Sequence, residues 1–304
     1  MTEPAFVAVD WGTSSFRIWL VDRTGQVLAE RRTDEGMLAA AKSGFAGVLQ
    51  SHLAAVAAPH HLPVLVCGMA GAKTGWVEAG YVDTPAPLSA VLKQAARVPG
   101  EARDIRILPG IAQRDVRAPD VMRGEETQLL GALGLDAAGE ALVCMPGTHS
   151  KWVGVKNGTV AHFSTFMTGE LFSVVSRETI LSLAVAGADD VEDVASFKSA
   201  VKAAYKAPAF AANLLFGARS RQLLFGGSPA AARETLSGTL IGVELAAGLS
   251  GSVPEAGVTL IASGRLAMLY RQAFGALGAN VNPIDADEAV RRGLSMAAAA
   301  IWTR

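Results

Sequence analysis

Two short segments carry the residue types that bind phosphate. One reads Val9-Asp10-Trp11-Gly12-Thr13-Ser14-Ser15-Phe16-Arg17 and the other Met145-Pro146-Gly147-Thr148-His149-Ser150-Lys151-Trp152. Each follows a short apolar run, Phe6 to Val9 and Ala141 to Met145. A Gly-Thr turn after a strand can aim backbone N–H groups and a hydroxyl at an anion. Two such turns closing from opposite sides would clamp a polyphosphate. An aspartate ending a buried strand faces the crevice where open α/β sheets take their ligands. Asp10 stands at such a position, and one carboxylate with waters and phosphate oxygens is a donor set that suits Mg2+. Gly12 lets the backbone approach a phosphate, Thr13 and Ser14 offer hydroxyls, and Arg17 can reach a transferring phosphoryl group. The plainer alternative is an ordinary turn capped by Asp10, and the second Gly-Thr turn weighs against it.

Other constellations are weaker. Arg123-Gly124-Glu125-Glu126 opens an apolar helix, where acidic residues also suit the helix dipole; the functional alternative is a carboxylate that takes a proton from a hydroxyl. The Gly-rich stretch Gly68 to Gly80 includes Gly71, Lys73, Thr74 and Trp76, a cation, a hydroxyl and a flat apolar face that suit an anionic sugar. It reads equally as a surface loop anchored by Trp76. A carboxylate on the ligand could pair with Lys73, Arg114 or Arg123. Thr168, before Gly169-Glu170, reads as a helix N-cap, and Asp285 or Asp287 as the cap of the last helix. Ser263-Gly264 marks a strand-to-helix junction. His52, His60, His61 and His162 show no ligand spacing.

The elements that must position these residues follow from periodicity and turn signals. The hairpins run Phe16 to Asp22 then Val27 onward, and Trp152 to Lys156 then Val160 to Phe166; the second turns at Asn157-Gly158, the strongest short hairpin signal. Strands at 64–67, 105–108, 142–145, 258–262 and 280–284 alternate with helices at 45–57, 89–96, 125–135, 266–277 and 287–301, an α/β pattern. Residues 109–120 read as a crossover between halves, and 170–250 as a largely helical insertion. The 304 residues are 50% hydrophobic and 18% charged, enough to bury a large core. A net charge of −1 gives no electrostatic case for nucleic acid or a membrane surface. No apolar stretch approaches about 18 uncharged residues and no secretory pattern opens the chain, so a cytoplasmic protein is expected. Cys67 and Cys144 end apolar runs and read as buried free thiols. An apolar insertion face would suit a homodimer, and the same residues would suit a core.

At these residues the chain resembles the sugar kinases of the actin-like ATPase superfamily, whose first phosphate loop reads Asp-x-Gly-Thr-(Ser/Thr)-Ser-x-Arg; Asp10 to Arg17 fits at every position. Gly124-Glu125-Glu126 stands where those kinases carry an acidic base, Ser263-Gly264 fits their adenosine motif, and Asp287-Glu288-Ala289 resembles the start of their closing helix. The chain is still more similar to the 2-dehydro-3-deoxygalactonokinase family over nearly all its length, through Val9 to Gly12, Met69 to Trp76, Val121 to Leu129, Met145 to His149 with Lys151-Trp152, and Met167 to Leu171. It departs from the wider pattern in carrying Glu125 in place of Asp and His149 in place of Gly. The resemblance implies two actin-like (ribonuclease H-like) domains with a nucleotide cleft between them. These would be residues 1–117 on the sugar side and residues 118–304, with the insertion, on the nucleotide side. It implies ATP and Mg2+ as cofactors and phosphorylation of 2-dehydro-3-deoxy-D-galactonate at its 6-hydroxyl, in galactonate (D-galactose) catabolism. Glu125 would be the base and Arg17 or Lys151 would offset transferring charge. Asp10 would hold the metal; Gly12, Thr13, Ser14, Gly147, Thr148, His149 and Gly264 would bind ATP; Gly71, Lys73, Thr74, Trp76 and Arg123 would bind the sugar acid. A phosphohydrolase such as an exopolyphosphatase, or a non-catalytic sugar-acid sensor, remains an alternative on the same scaffold.

Overall fold

The computed structural model describes residues 3–188, 192–251 and 253–302. Strand β1 (Pro4–Trp11) leads through the first Gly-Thr loop into β2 (Phe16–Asp22) and β3 (Val27–Thr33), followed by α1 (Met37–Ser43), α2 (Phe45–Ala55) and β4 (Val64–Gly68). Then come β5 (Tyr81–Asp83), β6 (Ala86–Pro87), α3 (Leu88–Lys93), β7 (Ala96–Arg97), β8 (Ile105–Ile107), β9 (Gly110–Gln113), β10 (Asp120–Met122) and α4 (Glu125–Leu133). Strand β11 (Glu140–Met145) leads through the second Gly-Thr loop into β12 (Ser150–Lys156) and β13 (Thr159–Phe166). The helices α5 (Thr168–Glu178), α6 (Ser182–Val185), α7 (Val194–Lys206), α8 (Ala211–Phe225) and α9 (Pro229–Gly248) precede β14 (Val258–Ile261), α10 (Gly264–Leu277), β15 (Val281–Ile284) and α11 (Ala286–Trp302).

The chain groups into two compact units, each discontinuous in sequence. The first comprises 1–140, 154–163 and 284–304, and the second 141–153 and 164–283, so compactness does not follow a 117/118 division. In the first unit the strand order is β3-β2-β1-β4-β8-β7. Strands β1, β4 and β8 are parallel, and β1 pairs antiparallel with β2. Val7, Val9, Val64 and Val66 are fully buried beneath Trp11, Phe16 and Leu49, which is why β1 and β4 read as unbroken apolar runs. Residues 109–120 are not a crossover: β9 and β10 form an antiparallel pair that joins β5 in a three-stranded sheet of the same unit. The polar stretch that suggested a crossover is the turn between them.

In the second unit β15-β14-β11-β12 lie side by side, with β11 and β14 parallel. The insertion is helical, as its Ala- and Leu-rich stripes predict; Phe197 and Val201 of α7 pack with Ile241 and Leu245 of α9 beside β14. Asn157 and Gly158 both take positive φ, 48° and 67°, as the Asn-Gly turn demands. Cys67 and Cys144 are buried free thiols.

Candidate active site

The β1–β2 register sets Asp10 opposite Arg17, and the parallel β1–β4 register sets it beside Cys67. Arg17 Nη2 lies 2.7 Å from Asp10 Oδ2. Burial is the largest influence on Asp10 and raises its pKa; the Arg17 guanidinium opposes that, while the charge of Asp287 adds to it. Beyond Asp10 the loop closes on itself, Gly12 N donating to Ser15 O at 2.8 Å. The start of α1 grips it from behind, Met37 N donating to Gly12 O and Leu38 N to Thr13 O. Thr13 and Ser14 remain exposed. Gly68, with φ +90°, passes so close that a Cβ there would lie 2.6 Å from Trp11 O, so only glycine lets β4 end against Asp10.

The start of α4 supplies two carboxylates with different environments. Glu126 is fully buried, accepts from Gly124 N at 2.7 Å, and is pushed up to about 8 by burial and then by the charge of Glu125. Glu125 stays half-buried at the helix tip and accepts from Arg123 N at 2.9 Å. Arg123 donates through Nη2 to Gly80 O at 2.8 Å and lies over the Tyr81 ring at 4.4 Å, while its buried Nε and Nη1 have no hydrogen-bond partner. A Cβ on Gly71 would meet Arg123 Nη1 at 2.9 Å, so these two substrate candidates are neighbours. Lys73 and Thr74 lie exposed on the following loop. Trp76 stacks on Phe45 and meets Trp11 edge-on, each at 6.1 Å between centroids, as the packed anchor of that loop. Arg114 pairs with Asp83 at 2.8 Å.

In the second unit the loop from Gly147 to His149 is fastened from beneath. Gly147 N donates to Ser150 Oγ at 3.4 Å, and Thr148 O accepts from Glu170 N at 3.0 Å. A Cβ on Gly169 would meet Gly147 O at 2.5 Å. Thr148 and His149 are exposed, and His149 Nε2 pairs with Glu170. Lys151 is buried at the start of β12, 5% exposed. Thr168 is not the cap of α5: Met167 takes that position, and the Thr168 hydroxyl donates to Glu244 instead. Glu244, buried on α9, also accepts from Trp152 Nε1 at 2.9 Å and Tyr270 OH at 2.7 Å. Its burial raises its pKa against the pull of these donors. Beside this network lies a cavity of about 230 Å3, lined by Gly147, Gly169, Arg233, Ile241, Arg265 and Leu266. Buried Glu234 accepts from Arg233 and Arg265, at 3.1 Å and 2.8 Å, and so orients both cations. Gly264 opens α10 next to it with φ +58°.

Glu244, Tyr270, Arg32 and Asp287 were not singled out by sequence as binding or catalytic groups. They lie far along the chain from the residues they hold, and nothing in spacing marks them. Among the described residues no three His, Cys, Asp or Glu gather as a metal site. A cation here would therefore depend on Asp10 together with oxygens of the ligand, a donor set that fits hydrated Mg2+. No helix among the described residues is long and apolar enough to cross a membrane.

A family model described as 2-keto-3-deoxy-galactonokinase matches residues 10–297. A protein of Rhizobium meliloti (strain 1021) named "Probable 2-dehydro-3-deoxygalactonokinase" is 59% identical over 98% of this chain and 97% of its own length. The 2-dehydro-3-deoxygalactonokinase of Escherichia coli (strain K12) is 31% identical over 97% of this chain and 98% of its own. A crystal structure of a Sinorhizobium meliloti protein given the same activity name superposes with a TM-score of 0.94 at 58% identity, covering 98% of this chain and 100% of that one. A much more distant solved structure, an activator of 2-hydroxyisocaproyl-CoA dehydratase from Clostridium difficile, shares the fold alone, with a TM-score of 0.50 at 12% identity.

Proposed function

The chain belongs to the 2-keto-3-deoxy-galactonokinase family, and on that premise we propose that it transfers the γ-phosphoryl group of ATP to the 6-hydroxyl of 2-dehydro-3-deoxy-D-galactonate. The products are the 6-phosphate and ADP, and the step belongs to galactonate (D-galactose) catabolism. The observation that carries the reading is the Asp10–Arg17 pair at the end of β1, beside a loop whose Thr13 and Ser14 are exposed.

Phosphoryl transfer is governed by positioning and charge neutralisation. Gly12, Thr13 and Ser14 bind phosphate oxygens, as do Gly147, Thr148 and His149, and the cavity beside Gly264 takes the nucleoside between Ile241, Leu266 and the two oriented arginines. Asp10 would hold Mg2+, which when bound would supply charge neutralisation on the phosphates. Arg17 offsets charge on the moving phosphoryl group, with Lys151 the second candidate; losing such a group commonly costs several kcal/mol of barrier. Glu125 orients the acceptor hydroxyl and takes its proton. Arg123, with Gly71 beside it and two nitrogens without partners, is the better placed cation for the sugar carboxylate. Lys73, Thr74 and Trp76 complete the sugar side.

The test is ADP release from Mg·ATP, alone and with a panel of 2-keto-3-deoxy sugar acids. Strong stimulation by the galactonate derivative, with the 6-phosphate as product, is expected. Phosphate release without any sugar would favour a phosphohydrolase, and nucleotide binding without sugar-dependent turnover would favour a sensor.

A further inference from the structure

Arg17 is shared between two carboxylates. Its Nη2 pairs with Asp10 at 2.7 Å and its Nη1 donates to Oδ1 of Asp287, which lies 270 residues away in sequence. The other oxygen of Asp287 accepts from Arg32 Nη1 at 2.6 Å. The row Asp10, Arg17, Asp287, Arg32 thus alternates in charge and ties β1, β2, α11 and β3 together within the first unit. Asp287 is in the first turn of α11 but does not cap it: Asp285 does, accepting from Glu288 N at 2.9 Å. The Asp287 carboxylate is directed instead to the two guanidinium groups, and its side chain is only 19% exposed.

We infer that Asp287 is a positioning residue for phosphoryl transfer, the second anchor that keeps the Arg17 guanidinium beside Asp10 when Asp10 turns its carboxylate to a divalent cation. The inference rests on the proposed role of Asp10. A carboxylate held only by Arg17 would have to give up its whole ion pair before it could meet a hydrated cation. With Asp287 as a second partner, Arg17 yields one hydrogen bond, keeps its orientation, and frees Nη2 for phosphate oxygens. Without Asp287, Arg17 collapses fully onto Asp10 and competes with the cation.

The experiment is equilibrium binding of Mn2+ in the presence of ADP, read by the electron paramagnetic resonance signal of the free ion, alongside kcat and KM. Asp287→Asn is expected to weaken Mn2+ binding about tenfold and to lower kcat, with KM for the sugar acid unchanged. Asp287→Glu, which keeps the charge one methylene away, is expected to recover most of the affinity, and it carries the test if the Asn variant does not fold. Asp10→Asn is measured in parallel. If it leaves Mn2+ binding intact, the reading of Asp10 fails and this inference with it. If it weakens binding while the Asp287 variants bind Mn2+ like the parent and lose only thermal stability, Asp287 is a structural ion pair and the inference alone is overturned.

Discussion

Glu126 is sealed under the first turn of α4, while its neighbour Glu125 stays half-buried at the tip. That difference sets the proposed base, Glu125, apart from a sealed carboxyl, and each makes its own prediction. Glu125→Gln is expected to lower kcat by about 10²-fold, at the modest end of general-base effects because phosphoryl transfer leans little on a base, with ATP affinity changed less than about twofold. A near-normal kcat would remove Glu125 as the base. Glu126 behaves differently because its pKa is raised from 4.5 to about 8 in the folded chain. A carboxyl raised in this way contributes stability in full below its unfolded pKa and loses it as pH climbs through the folded one. Stability should therefore fall between about pH 4.5 and 8, and Glu126→Gln should flatten that part of a melting-temperature profile. Equal slopes in parent and variant would contradict the buried, protonated state. Sequence could name the Glu-Glu pair but not which member is buried, because both suit a first helical turn.

At the scale of elements, α4 and α11 touch through glycines. A Cβ on Gly293 would lie 2.0 Å from Thr127 O, and one on Gly131 1.8 Å from Ala289 O. Gly293→Ala should force the helices apart and cost about 2 to 3 kcal/mol in a denaturant titration. Gly217→Ala on α8, where nothing lies within 4 Å, should instead stabilise by up to about 1 kcal/mol through helix propensity. If both substitutions have the same sign, the contact does not govern the effect. Apart from the short helix α1, the helices and both hairpins were legible in the sequence because their signals are local: apolar periodicity, and turn residues such as Asn157-Gly158. The β9–β10 pair was not, because each strand is only three or four residues long and its turn carries the polar composition of a linker.

At the scale of the molecule, the chain leaves its first unit after Glu140 and returns to it for good at Ile284. The last helix completes a core begun by the first strand, with Leu294 fully buried and α11 packed on α4, β1 and β4. Leu294→Ala should cost about 2 to 5 kcal/mol. In hydrogen exchange the loss of protection should fall on β1, β4 and α4, and not on β14 or α10, although those are nearer in sequence. Loss spread evenly over both units would refute that division. The sequence alone determined the α/β class, the kinase family, the two Gly-Thr loops that follow β1 and β11, and the acidic start of α4, since each is written in a few adjacent residues whose chemistry does not depend on what surrounds them. Only the tertiary structure decided which of two adjacent glutamates is buried, that Thr168 reaches Glu244 and leaves the cap to Met167, and that Asp287 closes on Arg17. Burial and pairing between residues so far apart depend on where the chain returns, and no local pattern encodes that.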